Sequence, residues 1–204
     1  RDLVPVVANK PLSFAAGSQE QYSNGGYYLL GAVIESASGQ SYRDFVAQHI
    51  FKALGMRNSG FERTSSSAMS LTRMTGPGQP PAAKPQPRIE FPEFKASSAG
   101  DAFSSAADLK AFANTLQGEA FLTDAIKSEV FTKGKNPWQV KQGGGTLGAN
   151  TGFWFDSASQ SWLVVLSNWD PPGGELMWQA LQSVQNGQGC KANAPKGPPP
   201  MQQG

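Results

Sequence analysis

Cysteine and histidine are almost missing from these 204 residues, which hold one of each, Cys190 and His49. A lone cysteine excludes an intrachain disulfide, and one histidine leaves no ligand cluster for a structural or catalytic metal, so no metal and no cofactor are expected. Charge is also scarce. Charged residues make up 16% of the chain, and 17 Lys and Arg against 15 Asp and Glu leave a net +2 with no basic block. A surface of that kind cannot track a phosphate backbone, which excludes nucleic acid as a partner. No apolar run approaches the ~20 residues that span a bilayer, and no segment has the charged, apolar and small-residue series of a signal peptide.

What is present suits a folded domain: 39% hydrophobic residues over a length that can bury a substantial core. After Asn24, the residues Tyr27, Leu30, Val33, Ile34 and Ala37 recur at helical spacing, and Gly39 ends the run. A second helix is predicted from about Ser41, with Tyr42, Phe45, Val46, His49 and Ile50 on one side and Leu54 and Gly55 at its close. Residues 75–93 hold six prolines and read as a surface loop. Ser105, three residues before Asp108, opens a helix with Leu109, Phe112 and Leu116 inward.

Beyond Asn136 the pattern changes to short runs rich in aromatic and β-branched residues, at 138–140, 152–156 and 162–168. The last two are predicted to pair as a hairpin across 157–161. A helix over 174–184, with Leu176, Trp178, Leu181 and Val184, then covers the sheet. The Trp residues at 154, 162, 169 and 178 read as core or sheet-covering aromatics. Residues 1–135 are thus mainly helical, 136–188 hold the hairpin and last helix, and 189–204, with four prolines, form a loose tail.

The stretch Tyr22-Ser23-Asn24, then Gly25-Gly26-Tyr27-Tyr28-Leu29-Leu30-Gly31, Ser38-Gly39-Gln40-Ser41-Tyr42 and Leu54-Gly55-Met56, resembles the second motif region of class C β-lactamases, their esterase relatives and D,D-peptidases. The likeness holds one register over about thirty-five residues. Pro11-Leu12-Ser13-Phe14 with Gly17 fits the family's entry to that motif, and 100–109 and 143–168 fit further along. The resemblance implies an α+β fold, with an antiparallel sheet flanked by helices beside a mainly helical subdomain. In such enzymes the serine of a Ser-x-x-Lys motif attacks an acyl carbon. The tyrosine of Tyr-x-Asn relays its proton, and the asparagine positions substrate and lysine. Tyr22 and Asn24 fall at those two positions. The resemblance also implies a small acyl substrate (β-lactam, ester or D-alanyl peptide) and a periplasmic or secreted setting.

Two departures stand out. No serine of this chain has a lysine three residues later, and only twenty-one residues precede Tyr22, where the family places that motif several dozen residues upstream. Truncation is the expectation: the chain is the C-terminal part of such a domain, inactive by itself, with the serine and lysine supplied by an upstream segment or a docking polypeptide. The third motif differs as well. Family members carry Lys-Thr-Gly or His-x-Gly on the strand lining the cleft, whereas this chain has Gln142-Gly143-Gly144-Gly145-Thr146, the segment expected to bind substrate. Glutamine donates hydrogen bonds but carries no charge.

Plainer readings exist for each candidate. Asn24 is a favoured residue for capping a helix. His49, on the inner face of its helix, reads as packed rather than catalytic. Gly143-Gly144-Gly145 lacks the Gly-Lys-Ser/Thr of a phosphate loop, which leaves close backbone approach to substrate or a strand irregularity. The rival function is a catalytically dead relative serving as a binding or assembly module, and a sheet edge left bare by absent strands points to homo-oligomerisation.

Overall fold

Ser23 turns an extended stretch into a helix. Its backbone is extended (φ −145°, ψ 116°) and its hydroxyl accepts the Gly26 amide at 3.1 Å, covering one of the donors that a helix start leaves open. Helix α2 (Asn24–Ser38) follows, and it stops at Gly39, whose φ of 70° brings its amide to the Glu35 carbonyl. The cap is therefore Ser23, one residue before Asn24. The computed structural model describes residues 4–61, 72–73, 86–87, 97–100, 102–146, 149–167 and 171–189. Contacts divide the chain into two compact units, Arg1–Thr64 with Phe91–Asp108, and Ser65–Glu90 with Leu109–Gly204.

In the first unit, helix α1 (Val4–Ala8), which the sequence reading did not include, runs against α2. It comes so near that a Cβ on Gly25 would lie 3.0 Å from Val7 Cγ1. Gly31 is buried against Ser98, whereas Leu30 and Val33, expected on the inner face, are 58% and 62% exposed. Ser41 opens helix α3 (Tyr42–Val46): its hydroxyl accepts the Asp44 amide at 3.1 Å and donates to the Asp44 carboxylate at 2.6 Å.

The single second helix expected from spacing is divided here, because a π-helical turn (Ala47–Lys52) continues α3. A π turn holds an extra residue, which shifts every later side chain around the axis. His49 consequently lies exposed, its ring 4.5 Å from that of Phe45, and not on an inner face. Val46 and Met56 are buried, and the rings of Tyr42 and Phe51 pack on Phe61 at 5.7 and 5.5 Å. Burial pushes the Tyr42 phenol above its ordinary pKa. Buried Asp108 accepts the Asn58 amide and the Ser59 hydroxyl, each at 2.7 Å, while Ser105 accepts the Asp108 amide in the expected cap.

The second unit is a three-stranded antiparallel sheet with helices. Strands β3 (Gln139–Thr146), β4 (Ala149–Asp156) and β5 (Ser161–Ser167) lie in that order, and β4 and β5 form the predicted hairpin. Helix α4 (Ala106–Leu116) supplies Ala113 and Leu116 to a core with Trp138, Val140 and Phe155; Trp138 and Phe155 stack at 5.1 Å. Helix α5 (Asp124–Thr132), capped by Thr123, had no counterpart in the sequence reading. Helix α6 (Gly173–Gln185) returns onto the sheet, and Trp178 lies so close to β4 that a Cβ on Gly152 would meet its ring at 2.8 Å.

A two-residue ladder, β1 (Thr72–Arg73) with β2 (Gln86–Pro87), interrupts the proline-rich stretch read as a plain loop. The rest of 75–93, Trp169 and the tail beyond Gly189, with Cys190, lie outside the described residues. Helices with one main antiparallel sheet make the fold α+β, as expected.

Candidate active site

The start of α2 sets the first pair of candidates. Ser23 is spent on the cap, which leaves Tyr22 just before the helix and Asn24 as its first residue. Tyr22 Oη donates to Asn24 Oδ1 at 2.9 Å, and the Tyr22 ring lies 5.6 Å from that of Tyr27. Both residues are exposed, Tyr22 at 70%. With its oxygen taken by the phenol, the Asn24 amide offers its N–H groups to any further partner. A phenol and an amide so linked at a solvent-facing helix start present an acceptor oxygen and amide N–H donors side by side.

Tyr22 also forms part of an open depression of about 560 Å³ together with Phe14, Gln19, Glu20 and Gln21. The sequence reading passed over Glu20. Its one signal there is the two-residue spacing from Tyr22, too common a pattern to single it out.

The second group of candidates belongs to the second unit, on β3. Gln142 pairs with Phe153, Gly143 with Gly152, Gly144 with Thr151, Gly145 with Asn150 and Thr146 with Ala149. That ladder is unbroken, so the glycine run is not a strand irregularity. The Gly144 carbonyl accepts Asn150 Nδ2 at 3.1 Å, and the Asn150 Oδ1 accepts the Glu175 amide at 3.0 Å, tying β4 to both β3 and α6. A Cβ on Gly145 would lie 2.9 Å from Pro171 Cγ. Glycine at 145 is thus required by the chain entering α6. Gln142 to Gly145 are exposed.

Among the described residues no group of three or more His, Cys, Asp or Glu side chains could hold a metal ion. Among the same residues, no helix is long and apolar enough to cross a membrane.

The chain is similar to known proteins over part of their length. Penicillin-binding protein 4* of Bacillus subtilis is 43% identical over 61 residues, 29% of this chain and 14% of that protein. Esterase EstB of Burkholderia gladioli is 34% identical over 87 residues, 43% of this chain and 22% of the esterase. Among solved structures, a penicillin-binding protein from Bacillus halodurans matches at a TM-score of 0.69 and 19% identity, over 90% of this chain and 62% of that one. At that identity the likeness is one of fold. The chain therefore spans only part of the length of the proteins it matches. The family model described as "Beta-lactamase" matches residues 1–186. A match over nearly the whole chain, on helices and an antiparallel sheet that share the fold of a penicillin-binding protein, means that this chain belongs to the β-lactamase family.

Proposed function

We propose that the chain is the Tyr-x-Asn-bearing part of a serine hydrolase domain that transfers the acyl group of a β-lactam, an ester or a D-alanyl peptide. The observation that carries this reading is the 2.9 Å bond from the Tyr22 phenol to the Asn24 amide oxygen, exposed at the start of α2. In this reading Tyr22 relays the nucleophile's proton and Asn24 orients the substrate, as general acid–base chemistry requires. The same reading gives Gln142 to Thr146 of β3, in the second unit, a substrate-binding role, with bare backbone at the three glycines. The serine and lysine come from outside these 204 residues, since no Ser-x-x-Lys occurs within them. Export to the periplasm or beyond accompanies the reading, supported by the likeness to a penicillin-binding protein.

The uncharged Gln142 favours one rival, a relative that binds acyl compounds without turning them over. Two measurements decide. The chain alone, incubated with a fluorescent β-lactam or a nitrophenyl ester, forms no covalent serine adduct; a labelled serine overturns the external nucleophile. In the complete domain, Tyr22→Phe lowers kcat by about 10²- to 10⁴-fold, the usual worth of a positioned proton-transfer group. An unchanged rate removes Tyr22 from the chemistry, and a complete domain with no turnover at all establishes the binding module.

A further inference from the structure

One face of α2 is left bare by its own unit. Leu30 and Val33 are 58% and 62% exposed, and Ala37 is exposed as well. At three and then four residues apart, they make a single apolar stripe. Two other faces of the helix are taken: Val7 of α1 lies against Gly25, and Ser98 lies against Gly31. One turn before Leu30 the stripe reaches Gly26, where an added Cβ would meet no side chain within 4 Å but that of Ser23. Bare backbone there admits a close neighbour. The one charged residue of α2, Glu35, accepts the Tyr42 amide at 2.9 Å, so no charge interrupts the stripe.

We propose that this stripe is the docking face for the segment that brings serine and lysine to Tyr22, which rests on the reading that both come from outside these residues. A serine and a lysine three positions apart share one face when their segment is helical. Packed helices lie with their axes about 8–10 Å apart, close enough for Leu and Val ridges to enter the facing grooves. Leu30 stands about 9 Å along the axis from Asn24, at ~1.5 Å per residue. A helix whose serine meets Tyr22 therefore has the stripe within reach, and its own apolar residues at i, i+3 and i+7 fill it. The fold neighbour has length to supply such a segment, since this chain covers 62% of it. A second copy of this chain does not complete the site, because it brings no Ser-x-x-Lys.

In the complete domain, a photoreactive benzophenone side chain in place of Leu30 is expected to cross-link to the peptide that contains Ser-x-x-Lys. The same group in place of Ser36, beside Val4 and Pro5, is expected to link to α1 and reports that α2 is in place. A link from position 30 to a second copy, to any other segment, or to nothing overturns the docking face. A smaller probe guards against a distorted fold. With Cys190→Ser removing the native thiol, Val33→Cys is expected to react with iodoacetamide at least about tenfold more slowly in the complete domain than in the isolated chain, since a covered thiol reacts only through local opening. Equal rates overturn the proposal as well. The acyl reading fails separately: an unchanged rate in Tyr22→Phe removes the proton relay whatever Leu30 touches, and a lowered rate without the cross-link removes only the docking face.

Discussion

Lys127 is 1% exposed, and its side chain is spoken for on every side. Its ammonium donates to the carbonyls of Leu116 at 3.0 Å and Gly118 at 2.9 Å, pairs with Asp124 at 2.6 Å, and lies 5.1 Å from the centre of the Trp138 ring. It closes the C-terminal end of α4 from α5, where helix carbonyls have no partner of their own. Lys127→Met keeps most of the volume but leaves those carbonyls without a donor and Asp124 without its cation. We expect a loss of about 2–4 kcal/mol, read as a lower urea midpoint at unchanged slope. An unshifted midpoint would mean that water replaces the ammonium. Tyr22 and Asn24 stood out in sequence through resemblance to a family motif carried within three residues. Lys127 did not, since the carbonyls it serves are nine and eleven residues away and acquire meaning only when α4 and α5 meet.

Between residues and molecule, α2 and α4 were legible because their ends are local. Ser23 and Gly39 bound α2, and Ser105 caps α4, through contacts of three or four residues. The π-helical turn was not legible, because helical spacing assumes a constant pitch. The β4–β5 turn shows the same local control. Asp156 accepts the Ser159 hydroxyl at 2.6 Å and the amides of Ala158 and Ser159 at 3.2 and 3.3 Å. The Ser159 hydroxyl foremost, then the Ala158 amide, Gln139 and the Ser159 amide, hold the Asp156 carboxyl below the usual carboxylate range in spite of some burial. A carboxyl with a lowered folded pKa contributes stability above its unfolded pKa, about 4, and that contribution fades as pH falls toward the folded value. Asp156→Asn should therefore lose less thermal stability than the parent chain between about pH 5 and pH 2. Parallel melting curves for the two would refute this account of the turn.

At the scale of the molecule, apolar surface is left over. On α6, Trp178 faces the sheet, while Met177, Leu181 and Val184, at the i, i+4 and i+7 spacing of a second stripe, are exposed. Leu166 is exposed on β5, an outer strand of the β3-β4-β5 sheet. An outer strand with apolar side chains beside a bare helical stripe invites association. We expect static light scattering at tens of micromolar to give a mass above the 21.7 kDa of one chain, and Leu181→Lys to lower it. A monomer throughout that range would count against it.

By themselves, these residues determine where α2 starts and stops and where α4 starts, that the β4–β5 hairpin forms, that the fold is α+β, and that Tyr22 and Asn24 resemble a proton-relay pair. Each of those rests on neighbours within a few positions or on a pattern carried in one register. Tertiary structure alone decided that Gly145 and Gly152 make room for the α6 segment and that Leu30 and Val33 face solvent. The physical reason is range. A close approach or a burial is set by which distant segments meet, and no window along the chain contains both sides of such a contact.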